Sequence, residues 1–213
     1  FGLADGIAAS YGTFATMFAL YYRDVQGGKG QFIDLSIYEP IFQLLGPQPM
    51  AYDQLGIIQE RMGNRSLNNA PRNTYQTLDK HWVAISTNSP SIVRRVLTLC
   101  GGEDVANDPR FQTPAGRVEF IEEVDGVVAN WISQHNLNEV LEKFEEVEAA
   151  VGPVYNIAQI FEDPQYIARN DIINLNDEDL GKIKMTAGFP FMSETPAEIR
   201  HAGPSKGKHN VEI

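Results

Sequence analysis

The sequence predicts an α/β fold, because helical and strand patterns are mixed along its whole length. Apolar residues recur at three- and four-residue spacing over residues 3–23, which is the period of an amphipathic helix. Residues 73–78 and 82–87 are strand-like segments on either side of Asp79-Lys80-His81, and this pattern indicates a β-hairpin. Since no long section is entirely helical or entirely strand-like, we expect a mixed architecture.

The first seventy residues predict two apolar helices on either side of one strand. The first helix has a second face of alanine and glycine, which permits close backbone packing, and the glycines at 27, 28 and 30 predict its end. Residues 31–36 alternate between polar and apolar and predict a strand. A second apolar helix is expected over residues 37–52, and the stretch 53–72 is expected to be irregular.

Further helices and two short strands are expected after the hairpin. Pro90 favours a helix start, and Gly101-Gly102 predicts the end of that helix near Leu99. The remaining predicted elements are helices over residues 115–134, 137–147, 157–162 and 164–169, strands over 172–175 and 183–186, and an extended tail from residue 189.

Composition and charge exclude several classes of function. The 213 residues are 43% hydrophobic, which is enough to build a core, and the net charge is −11. Such an excess of acid argues against binding to nucleic acid or to an anionic membrane through bulk charge. A single cysteine, Cys100, allows no internal disulfide and predicts a cytoplasmic protein, and the spacing of the four histidines predicts no metal site. No apolar run reaches the length of a membrane span.

The acidic side chains are concentrated in the middle of the chain. Residues 101–150 hold 12 acidic and 3 basic side chains, which predicts solvated helical faces. Residues 1–100 hold 8 basic and 7 acidic side chains, and Arg61, Arg65 and Arg72 lie there in one turn-rich stretch. An anionic ligand is therefore expected to meet the chain in that stretch. The chain begins with Phe1 rather than methionine, so we expect that it starts in the middle of a longer protein.

Asp5 is the carboxylate with the clearest potential for chemistry, and its position allows two interpretations. At the start of an apolar helix, an aspartate satisfies free N–H groups and interacts favourably with the helix dipole. The same position would give a nucleophile or a base if apolar neighbours removed water from the carboxylate, and Gly6 would allow a substrate to approach. The spacing alone favours the structural interpretation and leaves the catalytic one open.

An ordered set of short motifs makes the chain similar to the class III CoA-transferases, the CaiB/BaiF-type family that also includes α-methylacyl-CoA racemases. The motifs run from one end of the chain to the other, and each is weak by itself. They are Asp5 before a small-residue helix, Arg23, Gly28-Lys29-Gly30-Gln31, Asp34-Leu35-Ser36, Gly63-Asn64, the hairpin from Tyr75 to Trp82, residues 108–111, residues 152–154, residues 163–165, and Gly207 with His209.

The resemblance implies both a fold and a set of partners. Family members are about twice as long, so the chain would be the C-terminal half of a protein that forms interlocked homodimers. Residues 1–60 would be a large-domain segment with the catalytic aspartate, residues 70–155 a small α+β domain, and residues 160–213 a return segment to the large domain. The N-terminal half of the same protein would be a partner and would supply most contacts to CoA. Neither nucleic acid nor membrane is an expected partner.

The resemblance also implies a reaction and roles for individual residues. Asp5 would be the nucleophile that carries CoA as an aspartyl-CoA thioester, with acyl-CoA and a carboxylic acid as substrates and no permanently bound cofactor. Ile37 would lie near the CoA arm. Residues 66–70 would match a glycine-rich loop over the active site, but here they read Ser-Leu-Asn-Asn-Ala. Because these residues are not a glycine run, the resemblance does not establish how the loop moves or which substrate it prefers. Asn68 and Asn69, next to Ala70, would still offer amide donors to an acceptor acid.

Two alternatives stay open at the level of sequence. Asp5 would be a general base in an α-methylacyl-CoA racemase or epimerase, paired with a histidine outside this chain. The chain would otherwise be a non-catalytic fragment that acts as a structural partner. Either way, the isolated chain is expected to be inactive.

Overall fold

The computed structural model describes residues 2–212, and it divides into two compact units, one up to Met62 and one from Gly63 onward. Each unit is described by itself below. Phe1, on which the expectation of a start in mid-protein depends, lies outside the described residues. The predicted division into segments 1–60, 70–155 and 160–213 stays a prediction.

The described residues of the first unit contain three helices. They are α1 (Leu3–Asp24), α2 (Tyr38–Gln43) and α3 (Gln48–Leu55). Helix α1 confirms the prediction, and Asp5 in its first turn and Arg23 in its last turn both have the charge that the helix dipole favours. The single helix predicted over residues 37–52 is wrong, because Gly46 has a φ of 60° and Pro47 follows it, and together they separate α2 from α3.

The strand predicted over residues 31–36 is also wrong, since this segment has no regular secondary structure. A strand needs a neighbour to accept and donate its backbone hydrogen bonds, and the described part of the first unit contains no other strand. The side chain of Leu35 nevertheless lies against α1. A β-carbon added to Gly12 would come within 3.2 Å of Leu35 Cδ2, so the small-residue face of α1 allows this approach.

The first unit leaves most of its large apolar side chains exposed. Among its described residues, only Ala8 and Pro40 are buried. Exposed side chains on α1 include Phe14, Met17, Phe18, Tyr21 and Tyr22. Contiguous apolar surface of this kind is typical of an interaction site.

The second unit contains two antiparallel sheets, six α-helices and one short 3-10 helix (Pro109–Phe111) among its described residues. Strands β1 (Arg72–Gln76), β2 (Trp82–Ser86) and β3 (Val151–Pro153) form one sheet in that order, and β4 (Ile172–Asp177) pairs with β5 (Gly181–Thr186) in the other. The helices are α4 (Pro90–Ala106), α5 (Pro114–Glu119), α6 (Ile121–Ile132), α7 (Leu137–Glu146), α8 (Ile157–Glu162) and α9 (Pro164–Ala168).

Most predicted elements of this unit are confirmed, and the differences are local. In the hairpin Tyr75 lies opposite Val83, so the apolar residues that alternate along the two strands share one face of the sheet. Ser89 caps α4 by accepting a hydrogen bond from the backbone N–H of Ile92 at 3.2 Å. The predicted break near Gly101 is a kink at Gly102, where φ is 80°, and one more helical turn follows it. The helix predicted over residues 115–134 is two helices, because Phe120 has a non-helical ψ of 36°.

The core of the second unit lies between the first sheet and three helices. Tyr75, Val83 and Ile85 form the buried face of the sheet. They pack with Val96 of α4, Val128 and Ile132 of α6, and Val140 and Phe144 of α7. A second cluster beside it joins Ala70, Val93, Leu97, Ala106, Phe111 and Val124. The mixed helix and strand architecture predicted from the sequence is therefore confirmed.

None of the helices in the part of the chain that the structure describes combines the length and apolar character needed to cross a lipid bilayer.

Truncating Phe144 should destabilise the second unit strongly. Its side chain is fully buried, and its ring lies 6.0 Å from that of Trp131. We expect Phe144→Ala to lower the free energy of unfolding by about 3–5 kcal/mol, because it removes apolar contacts and leaves a cavity. Urea unfolding followed by tryptophan fluorescence measures the change. The matched control Phe189→Ala, at a side chain that is 91% exposed, should change it by less than about 0.5 kcal/mol.

Candidate active site

Asp5 lies in the first turn of α1 and is exposed to solvent. Its carboxylate lies against the backbone of Gly2, where an added β-carbon would come within 2.7 Å of Asp5 Oδ2. The structure thus presents an accessible carboxylate, whereas the catalytic interpretation expected apolar neighbours to remove its water. Within the described residues, the chain does not provide that shielding.

The segment after α1 shows why its glycines are needed. A β-carbon added to Gly28 would overlap the Tyr22 ring, so a larger residue there would require this ring to move. Gly27 has a φ of 69°, which glycine adopts without strain. Gly28-Lys29-Gly30 is therefore a tight connection packed on α1. Ile37 follows this segment at the start of α2, where its side chain is 55% exposed, and α2 contacts α1.

In the second unit, Arg65 ties the start of the predicted substrate loop to α6. Its Nε donates to Asp125 Oδ2 at 2.7 Å, and its two terminal nitrogens donate to the carboxylate of Glu122, with Nη2 2.7 Å from Oε2. These two acids raise the pKa of Arg65, and Arg65 in turn lowers the pKa of Glu122. The expectation that an anionic ligand meets the stretch with Arg61, Arg65 and Arg72 stays a prediction, and within that stretch Arg65 is already paired with two carboxylates.

Asp125 is the buried centre of this network. Its side chain is 7% exposed, and it also accepts hydrogen bonds from Asn73 Nδ2 at 2.9 Å and from the Tyr75 hydroxyl at 2.7 Å. Burial raises the pKa of Tyr75, and the neighbouring Asp125 carboxylate raises it further. The carboxylate thus joins the loop, strand β1 and helix α6.

Arg117 holds the other end of the loop. This residue of α5 is 1% exposed, and burial lowers its pKa. Its guanidinium donates to the backbone oxygen of Ala70 at 2.8 Å, to that of Phe111 at 2.9 Å, and to Asn69 Oδ1 at 3.1 Å. Each of these acceptors is a neutral carbonyl oxygen.

The three predicted loop residues therefore differ in what they can contact. Asn69 is buried, and its amide nitrogen donates to the backbone oxygen of Thr87. Ala70 is fully buried. Asn68 is exposed, so it is the member of the set that a ligand can reach. The roles predicted for Asn68, Asn69 and Ala70 stay predictions.

The predicted site residues lie in different units, with Asp5 and Ile37 in the first and the loop residues in the second. Sequence reasoning missed the roles of Arg117 and Asp125. The only sequence signal for them was that an arginine and an aspartate stand at positions 117 and 125 among the apolar residues of predicted amphipathic helices. Within residues 2–212, no cluster of three or more histidine, cysteine, aspartate or glutamate side chains is arranged to hold a metal ion.

Comparison with known proteins identifies the family. The model of CoA-transferase family III matches residues 1–210. The chain belongs to CoA-transferase family III. It is 35% identical over 211 residues to the succinyl-CoA–D-citramalate CoA-transferase of Chloroflexus aurantiacus, covering 99% of this chain and 52% of that protein. It is 32% identical over 213 residues to the β subunit of a succinyl-CoA–L-malate CoA-transferase of the same organism, covering 99% and 52%.

Solved structures agree with this family III assignment. A CaiB/BaiF family protein from Brucella suis superimposes with a TM-score of 0.77 at 25% identity, covering 98% of this chain and 53% of that one. The Rv3272 protein of Mycobacterium tuberculosis, at 16% identity, shares the fold with a TM-score of 0.80 and covers 100% and 55%. The chain spans about half the length of the curated relatives it matches.

Buried groups of the second unit predict that its stability falls at alkaline pH. The pKa of Tyr75 is raised above 10 in the fold, and burial raises the pKa of Cys100 from 9.0 to about 12. The unfolded chain therefore releases protons above pH 9–10 that the folded chain retains. The free energy of unfolding should then fall as pH rises, by about 1.4 kcal/mol per pH unit for each such proton.

Urea unfolding at pH 8 and at pH 11 tests this dependence. Tyr75→Phe lowers stability at both values by losing the bond to Asp125, and it should reduce the fall between them. Tyr52→Phe, at a tyrosine that is 59% exposed, should leave the fall unchanged. An equal fall in all three proteins would contradict the role given to Tyr75.

Proposed function

We propose that the natural protein transfers CoA between carboxylic acids, with Asp5 as the nucleophile. The observation that carries the proposal is the match to family III along the chain, together with relatives named as CoA-transferases over 99% of it. The accessible position of Asp5 at the start of α1 supports it.

Each transfer then consists of two exchanges at the Asp5 carboxylate. Asp5 attacks the thioester carbonyl of the donor and expels CoA as a thiolate, which gives a mixed anhydride. The thiolate attacks the Asp5 carbonyl of this anhydride, so the donor acid leaves and an aspartyl-CoA thioester remains. The acceptor carboxylate attacks that thioester and releases the thiolate, which then attacks the acceptor carbonyl and frees Asp5. The thioester is conserved only if water is kept from the anhydrides.

The exclusion of water must come from outside the described residues, because Asp5 is exposed in this chain. The apolar surface of α1 supports a covering partner, since side chains such as Phe18, at 69% exposure, would otherwise face water. We assign this cover to the N-terminal half of the same protein and to a second copy in a homodimer. The same N-terminal half would supply the cations for the CoA phosphates, and Ile37 would lie along the CoA arm.

The relatives indicate a substrate class. Those described above are named for succinyl-CoA as donor and for citramalate or malate as acceptor. We therefore propose succinyl-CoA as donor and a short hydroxy-dicarboxylic acid as acceptor. The exposed amide of Asn68 would donate to an acceptor carboxylate, whereas the buried amide of Asn69 keeps its bonds to Thr87 and Arg117.

Replacing Asp5 should abolish transfer and leave the fold intact. We expect Asp5→Ala in the natural protein to lower the transfer rate at least about 1,000-fold, because the nucleophile is lost. The matched control is Asp53→Ala, which removes an exposed carboxylate from α3. The measurement is the formation of the new CoA thioester, with the mass of a CoA adduct on Asp5 as a second readout. Substantial activity in Asp5→Ala would refute the assignment.

The same protein distinguishes transfer from racemisation. A transferase should not exchange the α-proton of an acyl-CoA with deuterated water when no acceptor acid is present. Rapid exchange that depends on Asp5 would instead show a general base, as in the racemase branch of the family.

The isolated chain should neither turn over acyl-CoA nor bind CoA tightly. Its candidate site is open to water, and the proposed phosphate contacts belong to the other half of the protein. Calorimetry of the 213-residue chain with CoA should show no micromolar binding, whereas the natural protein measured in parallel should bind. Micromolar affinity of the isolated chain would contradict the proposal.

A further inference from the structure

We propose that Asp125 is a positioning residue, which holds Arg65 so that only residues 66–68 of the substrate loop move and meet the acceptor acid. The inference rests on the proposed function and adds a specificity-determining role to residues outside the reacting groups. We call residues 66–68 the loop tip.

The loop is fixed on both sides of this tip. On one side, Asn64 donates to Thr74 Oγ1 at 2.8 Å, and Arg65 donates to Asp125 and Glu122. On the other side, Arg117 donates to Asn69 and Ala70, which are both buried. While these hydrogen bonds stay intact, only the loop tip, residues 66–68, is free to move.

The tip itself has a composition suited to contact with a small acid. Ser66 Oγ accepts a hydrogen bond from the backbone N–H of Asn68 at 3.2 Å, which makes a compact turn. Leu67 is 45% exposed and Asn68 is exposed. The tip contains no glycine, so fewer backbone conformations are accessible to it than to a glycine run. The position of its two ends therefore decides where the Asn68 amide lies.

Burial distinguishes the two acidic partners of Arg65. The Asp125 side chain is 7% exposed, and the Glu122 side chain is 77% exposed. A solvated ion pair contributes little to position, because water replaces it readily. A buried carboxylate that also accepts from Asn73 and Tyr75 cannot move without leaving those donors behind. Asp125 therefore fixes the position of Arg65, and Glu122 serves as the matched control.

The experiment compares Asp125→Asn, Arg65→Lys and Glu122→Gln in the natural protein. The first readout is backbone hydrogen exchange over residues 63–71. We expect Asp125→Asn to speed exchange at residues 65–70 about tenfold, since one charged hydrogen bond is lost, and Arg65→Lys to act in the same direction. Glu122→Gln should stay within about twofold of the natural protein.

The second readout separates the two halves of the transfer. Asp125→Asn and Arg65→Lys should raise the half-saturating concentration of the acceptor acid, malate or citramalate, about tenfold. The loading of CoA onto the protein from succinyl-CoA should stay within about twofold, because the tip acts on the acceptor. A general loss of folding would instead slow both halves together.

Several results would overturn the inference. One is hydrogen exchange that stays unchanged in both Asp125→Asn and Arg65→Lys. Another is an equal loss of CoA loading and of acceptor-acid use in these variants. A third is an effect of Glu122→Gln as large as that of Asp125→Asn. If Asp125→Asn fails to fold, Arg65→Lys decides both readouts, since it leaves Asp125 with its two neutral donors. A natural protein that transfers no CoA would refute the proposed function, and the exchange readout would still test the anchoring.

Discussion

The second unit depends on one buried carboxylate. Asp125 accepts hydrogen bonds from Arg65, which directly precedes the predicted substrate loop, and from Asn73 and Tyr75 of strand β1. A buried charge is costly unless such partners stay in place, so the loop, the sheet and helix α6 hold one relative arrangement. Arg117 has the opposite charge and a similar effect, because a cation that is 1% exposed must keep its three carbonyl acceptors. Both constraints act on the same short loop.

The first unit is under a different constraint. One face of helix α1 carries large apolar side chains, yet Ala8 is the buried residue among its described residues. A helix of this kind gains little from burial within its own unit, so its stability is coupled to whatever protein covers it. Asp5 lies on this same helix. In the proposed reaction, a protein that covered α1 would also exclude water from the anhydride on Asp5.

Local signals in the sequence predicted most elements, and long-range contacts account for the strand and the loop anchors that were predicted wrongly or missed. The hairpin and helix α4 follow from alternation, from the Ser89 cap and from Pro90, all of which act over a few residues. The segment 31–36 has the alternation of a strand but no neighbour in its unit, and pairing is a property of two segments. The bonds from Arg65 to α6 and from Arg117 to the loop join residues 47 to 60 positions apart, and no local pattern encodes them. Asp5 itself was found through the family resemblance, because its spacing fits a capping role equally well.

Acidic side chains of the middle segment (residues 101–150) also form specific ion pairs, in addition to the solvated helical faces predicted from the sequence. Glu122 and Asp125 neutralise Arg65, and Glu123 forms an ion pair with Arg110 at 2.7 Å. Arg65, the positive charge that directly precedes the loop, is therefore already compensated within the chain, so an acceptor acid at the proposed loop tip would meet the neutral amide of Asn68. A neutral donor binds a carboxylate less strongly than an arginine does. In the proposed reaction, one carboxylic acid leaves in each cycle and another enters, so weak recognition by the tip favours release of the bound acid. The position of the tip then matters more than its charge.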